Sequence, residues 1–284
     1  MVKREAAVSA DALEDDYLVE DIIEEGDTQG IAVEEDFEEN APADQGSASI
    51  KRKVVEDMAE EPTKKKKKRK PKKNNDPFQG VDVSSKPAAE QYDYILDRQK
   101  RAKSTWSAIE HDEQAPAISA FLDSQKFTSP HTIEFLPSFV KFGAAGHKKL
   151  LKEPPVEAMA APAIIIITHS AIRATDLVRG LKEFDKAAKI AKLFAKHLKV
   201  EEQARFLAET RLHFAVGTPH RVKELIELGH LKLDRLELLV VDTEKNAKRL
   251  DIFENDAVNG PLFDLFGTHI TPRMKEGKTK LGIF

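Results

Sequence analysis

Two short stretches carry residue types that could handle a phosphate. One is Val216-Gly217-Thr218-Pro219-His220-Arg221, and the other is Leu238-Leu239-Val240-Val241-Asp242-Thr243-Glu244-Lys245. Thr218 and Arg221 offer a hydroxyl and a guanidinium, donors that phosphate oxygens accept from readily. His220 offers a ring for stacking, or a cation at low pH. Asp242 is a carboxylate that could accept hydrogen bonds. Such groups work only if something rigid holds them. Leu212, Phe214 and Val216 lead into Gly217-Thr218-Pro219 as a buried strand, and Leu236 to Val241 lead into Asp242 as another. Between them Val222, Leu225, Ile226 and Leu228 recur at helical spacing. The unit is strand-helix-strand, with its polar groups at the carboxyl ends of the strands, where open α/β sheets place ligand contacts.

This pair of motifs resembles the Thr-Pro-Gly-Arg and Asp-Glu-Ala-Asp motifs of the first RecA-like domain of RNA helicases. In those enzymes the first Asp holds Mg²⁺ through its water shell and the Glu polarises the attacking water. Here Asp242 is kept, but Thr243 stands at the Glu position and cannot act as a general base near neutral pH, and Lys245 replaces the last Asp. No G-x-x-x-x-G-K-[ST] phosphate loop occurs in the chain. Ala102-Lys103-Ser104-Thr105 lacks both glycines, and Gly143 to Lys148 has the wrong spacing. The reading is of a protein that is not an enzyme, with no cofactor and no small-molecule substrate. Asp242 and Thr243 are then a degenerate remnant, with Asp242 a relic or a local hydrogen-bond acceptor.

Composition bounds the rest. The chain has 284 residues, no cysteine and nine histidines. Disulfides and thiolate metal sites are impossible, and the histidines show no ligand spacing, so no metal site is expected. No apolar run approaches the roughly 18–20 residues needed to cross a bilayer, so no membrane partner is expected. Residues 1–60 carry nineteen acidic and five basic residues. Low hydrophobicity with high net charge predicts a disordered arm over 1–80. Within it runs Lys64-Lys65-Lys66-Lys67-Lys68-Arg69-Lys70-Pro71-Lys72-Lys73, which suits nuclear import or non-specific phosphate contact; a basic solvating linker is the plain alternative. Between 74 and 272 there are 27 basic and 28 acidic residues, so RNA affinity would have to come from a local patch, the Lys-rich run or the C-terminal tail.

Beyond the arm, the pattern predicts a helical extension over 88–150. A helix over 88–108 opens it, a turn at Ser107 to Pro116 ends that helix, and short helical pieces surround Phe127 and Phe135. The main domain, 151–270, contains the strand Ile164 to Ile167, whose apolar run is typical of a central parallel strand. Thr168 and Arg173 follow it, and Ser170 suits either a helix N-cap or a phosphate contact. Lys186 to Ala208 reads as one or two amphipathic helices. At Thr218 two readings fit: phosphate contact, or an N-cap ahead of Pro219 at the first helical position.

Taken together, the charged arm, Ser104-Thr-Trp-Ser-Ala-Ile-Glu110, the strand Ile164 to Thr168, Leu193-Phe-Ala-Lys-His-Leu198, Gly217-Thr-Pro-His-Arg221 and Leu239-Val-Val-Asp242 resemble the Cms-one family. These are helicase-like factors of the small-subunit pre-ribosome in eukaryotic nucleoli. The resemblance implies an α/β fold, a single RecA-like parallel-sheet domain with flanking helices. It implies a non-catalytic assembly factor of the early (ninety-S) particle, with pre-ribosomal RNA and small-subunit assembly proteins as partners and the nucleus and nucleolus as its place. It also implies phosphate or partner contact by Thr168, Arg173, Thr218, His220 and Arg221. A residual nucleotide-binding RNA-remodelling enzyme and an acidic nuclear chaperone for basic proteins are the alternatives.

The C-terminus, 271–284, reads as an extended basic tail. Arg273, Lys275, Lys278 and Lys280 would lie along phosphates or an acidic protein surface, and Leu281, Ile283 and Phe284 would anchor in a partner. The competing reading has this apolar tip packing back on its own sheet.

Overall fold

The computed structural model describes residues 76–78, 80–144, 146, 148, 159–184, 188–196 and 198–284. The acidic arm and the Lys64–Lys73 run lie outside them. Strands β1 (Ile164–Ile167), β2 (Ile190–Leu193), β3 (Phe214–Gly217), β4 (Leu238–Val241) and β5 (Lys280–Ile283) form one sheet in the order β2-β3-β1-β4-β5. Every pairing is parallel; Ile164 sits opposite Phe214 on one side and Leu238 on the other. A strand buried on both faces needs no polar alternation, and all four residues of β1 are buried.

Helices cover both faces. On one lie α1 (Ala88–Ala102), α6 (Pro219–Glu227) and α7 (Asp256–Leu265), whose Tyr94, Ile95, Leu225 and Phe263 pack with Ile165, Ile167, Leu239 and Val241. On the other, α3 (Leu136–Gly143) and α4 (Ala171–Gly180) bring Leu136, Phe139 and Leu177 against Ile164, Ile166, Phe214 and Val240. The segment expected as a helical extension thus builds both cover layers. The domain also begins earlier than the expected arm boundary: Phe78 meets Tyr94 edge-on at 5.4 Å, and Asp76 pairs with Arg98 at 2.9 Å.

Three expectations are corrected. Ser107 to Pro116 is not only a turn, because α2 (Ala108–Gln114) starts there with a capping box between Ser107 and Glu110. Lys186 to Ala208 is not purely helical: Ile190–Leu193 is the outer strand β2, and only Val200–Glu209 (α5) is helix. The C-terminus is not an extended tail. Thr271–Lys275 forms helix α8, the chain turns at Gly277 (φ +70°), and β5 pairs with β4. Leu281, Ile283 and Phe284 are all buried. Burial of three large apolar side chains contributes about 1.5–3 kcal/mol each, which keeps the segment on its own sheet. Gly282 fits because a Cβ there would lie 2.8 Å from the Phe139 ring.

Candidate functional site

At the carboxyl end of β1 the chain runs through Thr168 and His169 to Ser170, whose Oγ accepts the Arg173 N–H at 3.2 Å and caps α4. This cap fixes where α4 starts, and Arg173 in its first turn leans back over the strand ends. There it meets Asp242, carried past the end of β4, whose N–H donates to Ile167 O at 2.9 Å. Arg173 Nη2 donates to Asp242 Oδ1 at 2.8 Å and Nε to Oδ2 at 3.1 Å. Thr168 Oγ1 donates to Oδ2 at 2.7 Å. Asp242 is only 1% exposed. Its carboxylate is saturated by internal donors, so it acts as a structural acceptor. Burial works against the Arg173 charge, but the hydrogen bonds and field of Asp242 outweigh it and raise the pKa. His169 beside them is held below the usual imidazole range by burial and by Arg173, against the pull of Asp242 and Glu244.

Arg173 and Asp242 border a cleft of about 880 Å³, lined also by residues of the Asp82–Ser85 and Ser124–His131 loops, Thr243–Lys245 and Phe284. Phe121 forms a single parallel bridge to Leu281, and Leu122 N–H donates to Leu281 O at 2.8 Å. Residues 120–122 are therefore a rudimentary sixth strand beyond β5. The loop leaving it lines the cleft. Here the loop Asp123 to His131 contains no glycine. Its Phe127 ring stacks on His131 (centroids 5.4 Å, planes 3° apart) and meets Phe139 edge-on at 5.1 Å. His131 Nδ1 lies 2.9 Å from Ser84 Oγ, and burial lowers its pKa. A one-bridge strand leaves no periodic signal, so local sequence does not mark where this loop lies.

The Gly-Thr-Pro-His-Arg loop stands apart from the cleft. A Cβ at Gly217 would lie 2.1 Å from Leu193 O, so glycine is needed there for close approach of β2 to β3. Thr218 is the N-cap of α6 with Pro219 at the first helical position, but its side chain makes no cap hydrogen bond. His220 is exposed. Arg221, expected as a phosphate donor, is buried and engaged within the domain. Its Nη1 donates to Leu198 O at 2.9 Å and Gln203 Oε1 at 2.7 Å, and its Nε lies 3.0 Å from Glu224. Gln203 Nε2 in turn caps Lys192 O and Phe194 O on β2. Arg221 therefore ties α6 to α5 and, through Gln203, to the outer strand.

The cations of the C-terminal segment have partners within the domain, although Lys275, Lys278 and Lys280 stay exposed. Arg273 donates to Thr279 Oγ1 and to Asp234 O and Leu236 O, at 3.3–3.4 Å. Lys275 donates to Glu113 O at 2.7 Å and Lys280 to Ser119 O at 2.9 Å, while Lys278 pairs with Glu276. Of the expected contact residues, the structure gathers only Thr168, Arg173, Asp242 and Thr243 at one place. Thr243 uses its N–H and Oγ1 to bind Phe284 O. Among the described residues no helix is long and apolar enough to cross a membrane, and no cluster of His, Asp and Glu is arranged to hold a metal ion.

Fold and site together define a parallel five-stranded α/β domain whose carboxyl-end acid, Asp242, is internally paired and whose neighbouring cleft is lined by an aromatic loop. The chain belongs to the family described as "CMS1: U3-containing 90S pre-ribosomal complex subunit", matching it over residues 34–284. It is 35% identical over 199 residues to Protein CMS1 of Chaetomium thermophilum, covering 68% of this chain and 78% of that one. It is 32% identical to Protein CMSS1 of Danio rerio over 71% of this chain and 68% of the relative. For human Protein CMSS1 the identity is 33%, over 66% and 67%.

Proposed function

We propose that this protein is a non-catalytic assembly factor of the early small-subunit (90S) pre-ribosome, contacting pre-ribosomal RNA and assembly proteins in the nucleolus. Family membership supports the particle. The observation that carries the non-catalytic reading is the saturation of Asp242 by Thr168 and Arg173, beside a cleft lined by Phe127 and His131. A Mg²⁺ ion held through water needs carboxylate lone pairs that face solvent, and those of Asp242 face Thr168 and Arg173. The basic run Lys64–Lys73 supports nuclear import.

Affinity purification of the tagged chain from nucleoli tests this reading. Co-purification of small-subunit precursor RNA with early assembly factors is the expected result. Free histones or other basic proteins alone would favour the acidic-chaperone reading, and ATP-dependent turnover by the purified chain would favour a residual enzyme. Replacing the basic residues of 64–73 with alanine should abolish nucleolar accumulation, and unchanged accumulation would remove the import role.

A further inference from the structure

Charge in the domain is balanced overall but unevenly placed. Between Arg179 and Lys199 the sequence holds seven basic and two acidic residues, leaving twenty basic against twenty-six acidic elsewhere in 74–272. The described residues of this segment form the end of α4, strand β2 at the outer edge of the sheet, and the entry to α5. Arg179, Lys182, Lys189, Lys196 and Lys199 are exposed, and Lys192 is partly exposed on the strand itself. Lys192 feels the Arg179 charge, and with burial this lowers its pKa. Of the acidic neighbours, Asp176 pairs with Arg179 and Glu183 with Lys141 on α3. The patch ends at Glu201 and Glu202 in the first turn of α5.

An outer strand can also recruit a protein by strand addition, which needs unpaired backbone groups along its edge. Here Gln203 occupies two outward carbonyls, those of Lys192 and Phe194. Pairing of a peptide strand is blocked at those positions, while Lys189 and Lys196 on either side are exposed. A row of exposed cations on an edge closed to strand pairing suits a phosphate backbone.

We propose that the edge formed by Arg179 to Lys199 is an RNA-binding surface that contacts backbone phosphates without reading sequence. It would supply the contact that Arg221, held by Leu198 and Gln203, does not. The inference rests on the assembly-factor reading and adds to it the location and chemistry of the RNA contact.

The test uses the full chain with Lys182→Glu, Lys189→Glu, Lys196→Glu and Lys199→Glu combined. Binding is read by anisotropy of a labelled single-stranded RNA across a salt series, in the natural background and with the basic residues of 64–73 replaced by serine. Four lost phosphate contacts should weaken binding at least tenfold and lower the slope of log affinity against log salt by about three. The melting temperature should change little, because these side chains are exposed. If the fourfold variant melts early, the pair Lys182→Gln and Lys196→Gln is measured instead, with an expected slope loss of about 1.4. Unchanged affinity and slope in the serine background would overturn the proposal. So would loss of polyglutamate binding with RNA binding retained. Particle association separates the two levels: a variant that binds RNA normally overturns only the edge assignment, whereas absence of the natural chain from pre-ribosomes overturns the assembly-factor reading itself.

Discussion

Replacing Asp242 with alanine should cost stability and nothing else. The carboxylate takes a bidentate guanidinium from Arg173 and a hydroxyl from Thr168, at 2.7–3.1 Å, in a site 1% exposed. Breaking a buried pair by removing one partner costs about 3–5 kcal/mol, mostly because the other charge is stranded. Arg173 keeps some relief: its side chain is 16% exposed, and Glu244 lies 3.8 Å away. The lower end, about 3 kcal/mol, is therefore expected. For a domain of this size 1 kcal/mol shifts Tm by about 2–4 °C, so the variant should melt roughly 6–12 °C lower. Arg173→Met combined with Asp242→Leu strands no charge and should recover much of the loss, giving a double-mutant coupling above about 1 kcal/mol. Thermal and urea unfolding measure both. Melting of Asp242→Ala within a degree or two of the parent would refute the reasoning, because the carboxylate would then not be holding the strand ends together.

Arg221→Ala should destabilise by about 2–4 kcal/mol, because Gln203 Oε1 and Leu198 O lose a charged donor. RNA affinity should not fall with it; lost RNA binding at unchanged Tm would make Arg221 a contact residue. Deleting residues 277–284 should unfold the domain or lower Tm by more than about 10 °C, since β5 and three buried apolar side chains go with it; an unchanged Tm would return this segment to the role of a docking tail. Stability should also fall as pH drops below the ordinary imidazole value of 6.5. Burial lowers the folded-state pKa of His131, His169 and His269, so the unfolded chain binds more protons in that window and the stabilisation is lost as pH falls through the folded values. His131→Phe should flatten the profile between pH 7 and 5, and an unaltered profile would remove that histidine from the account.

Much of the central sheet was legible in the sequence because its signals are local. Ile164 to Ile167 is apolar throughout, Ser170 and Thr218 precede helices at N-cap spacing, and the Phe214–Val241 unit alternates strand, helix and strand within a short span. The edges were not legible. In β2, Ile190, Leu193 and Phe194 fall at helical spacing by coincidence, while Lys192 breaks the apolar run because an outer strand tolerates a charge. β5 contains a glycine and is held by β4, some forty residues earlier, so pairing rather than propensity decides it. At the site, Asp242 was identified as a hydrogen-bond acceptor, yet Arg173 was assigned to phosphate. The structure sets the Arg173 guanidinium on Asp242, a contact across 69 residues that local sequence does not show. The Asp123–His131 loop was missed for the same reason, since a single bridge to Leu281 defines its place.

The most direct test of the central claim, that this cleft does no nucleotide chemistry, is calorimetric titration of the full-length protein and of Asp242→Ala with Mg-ATP. Flat isotherms for both proteins at physiological nucleotide concentration are the predicted result. Saturable binding by the parent that disappears in Asp242→Ala would contradict it.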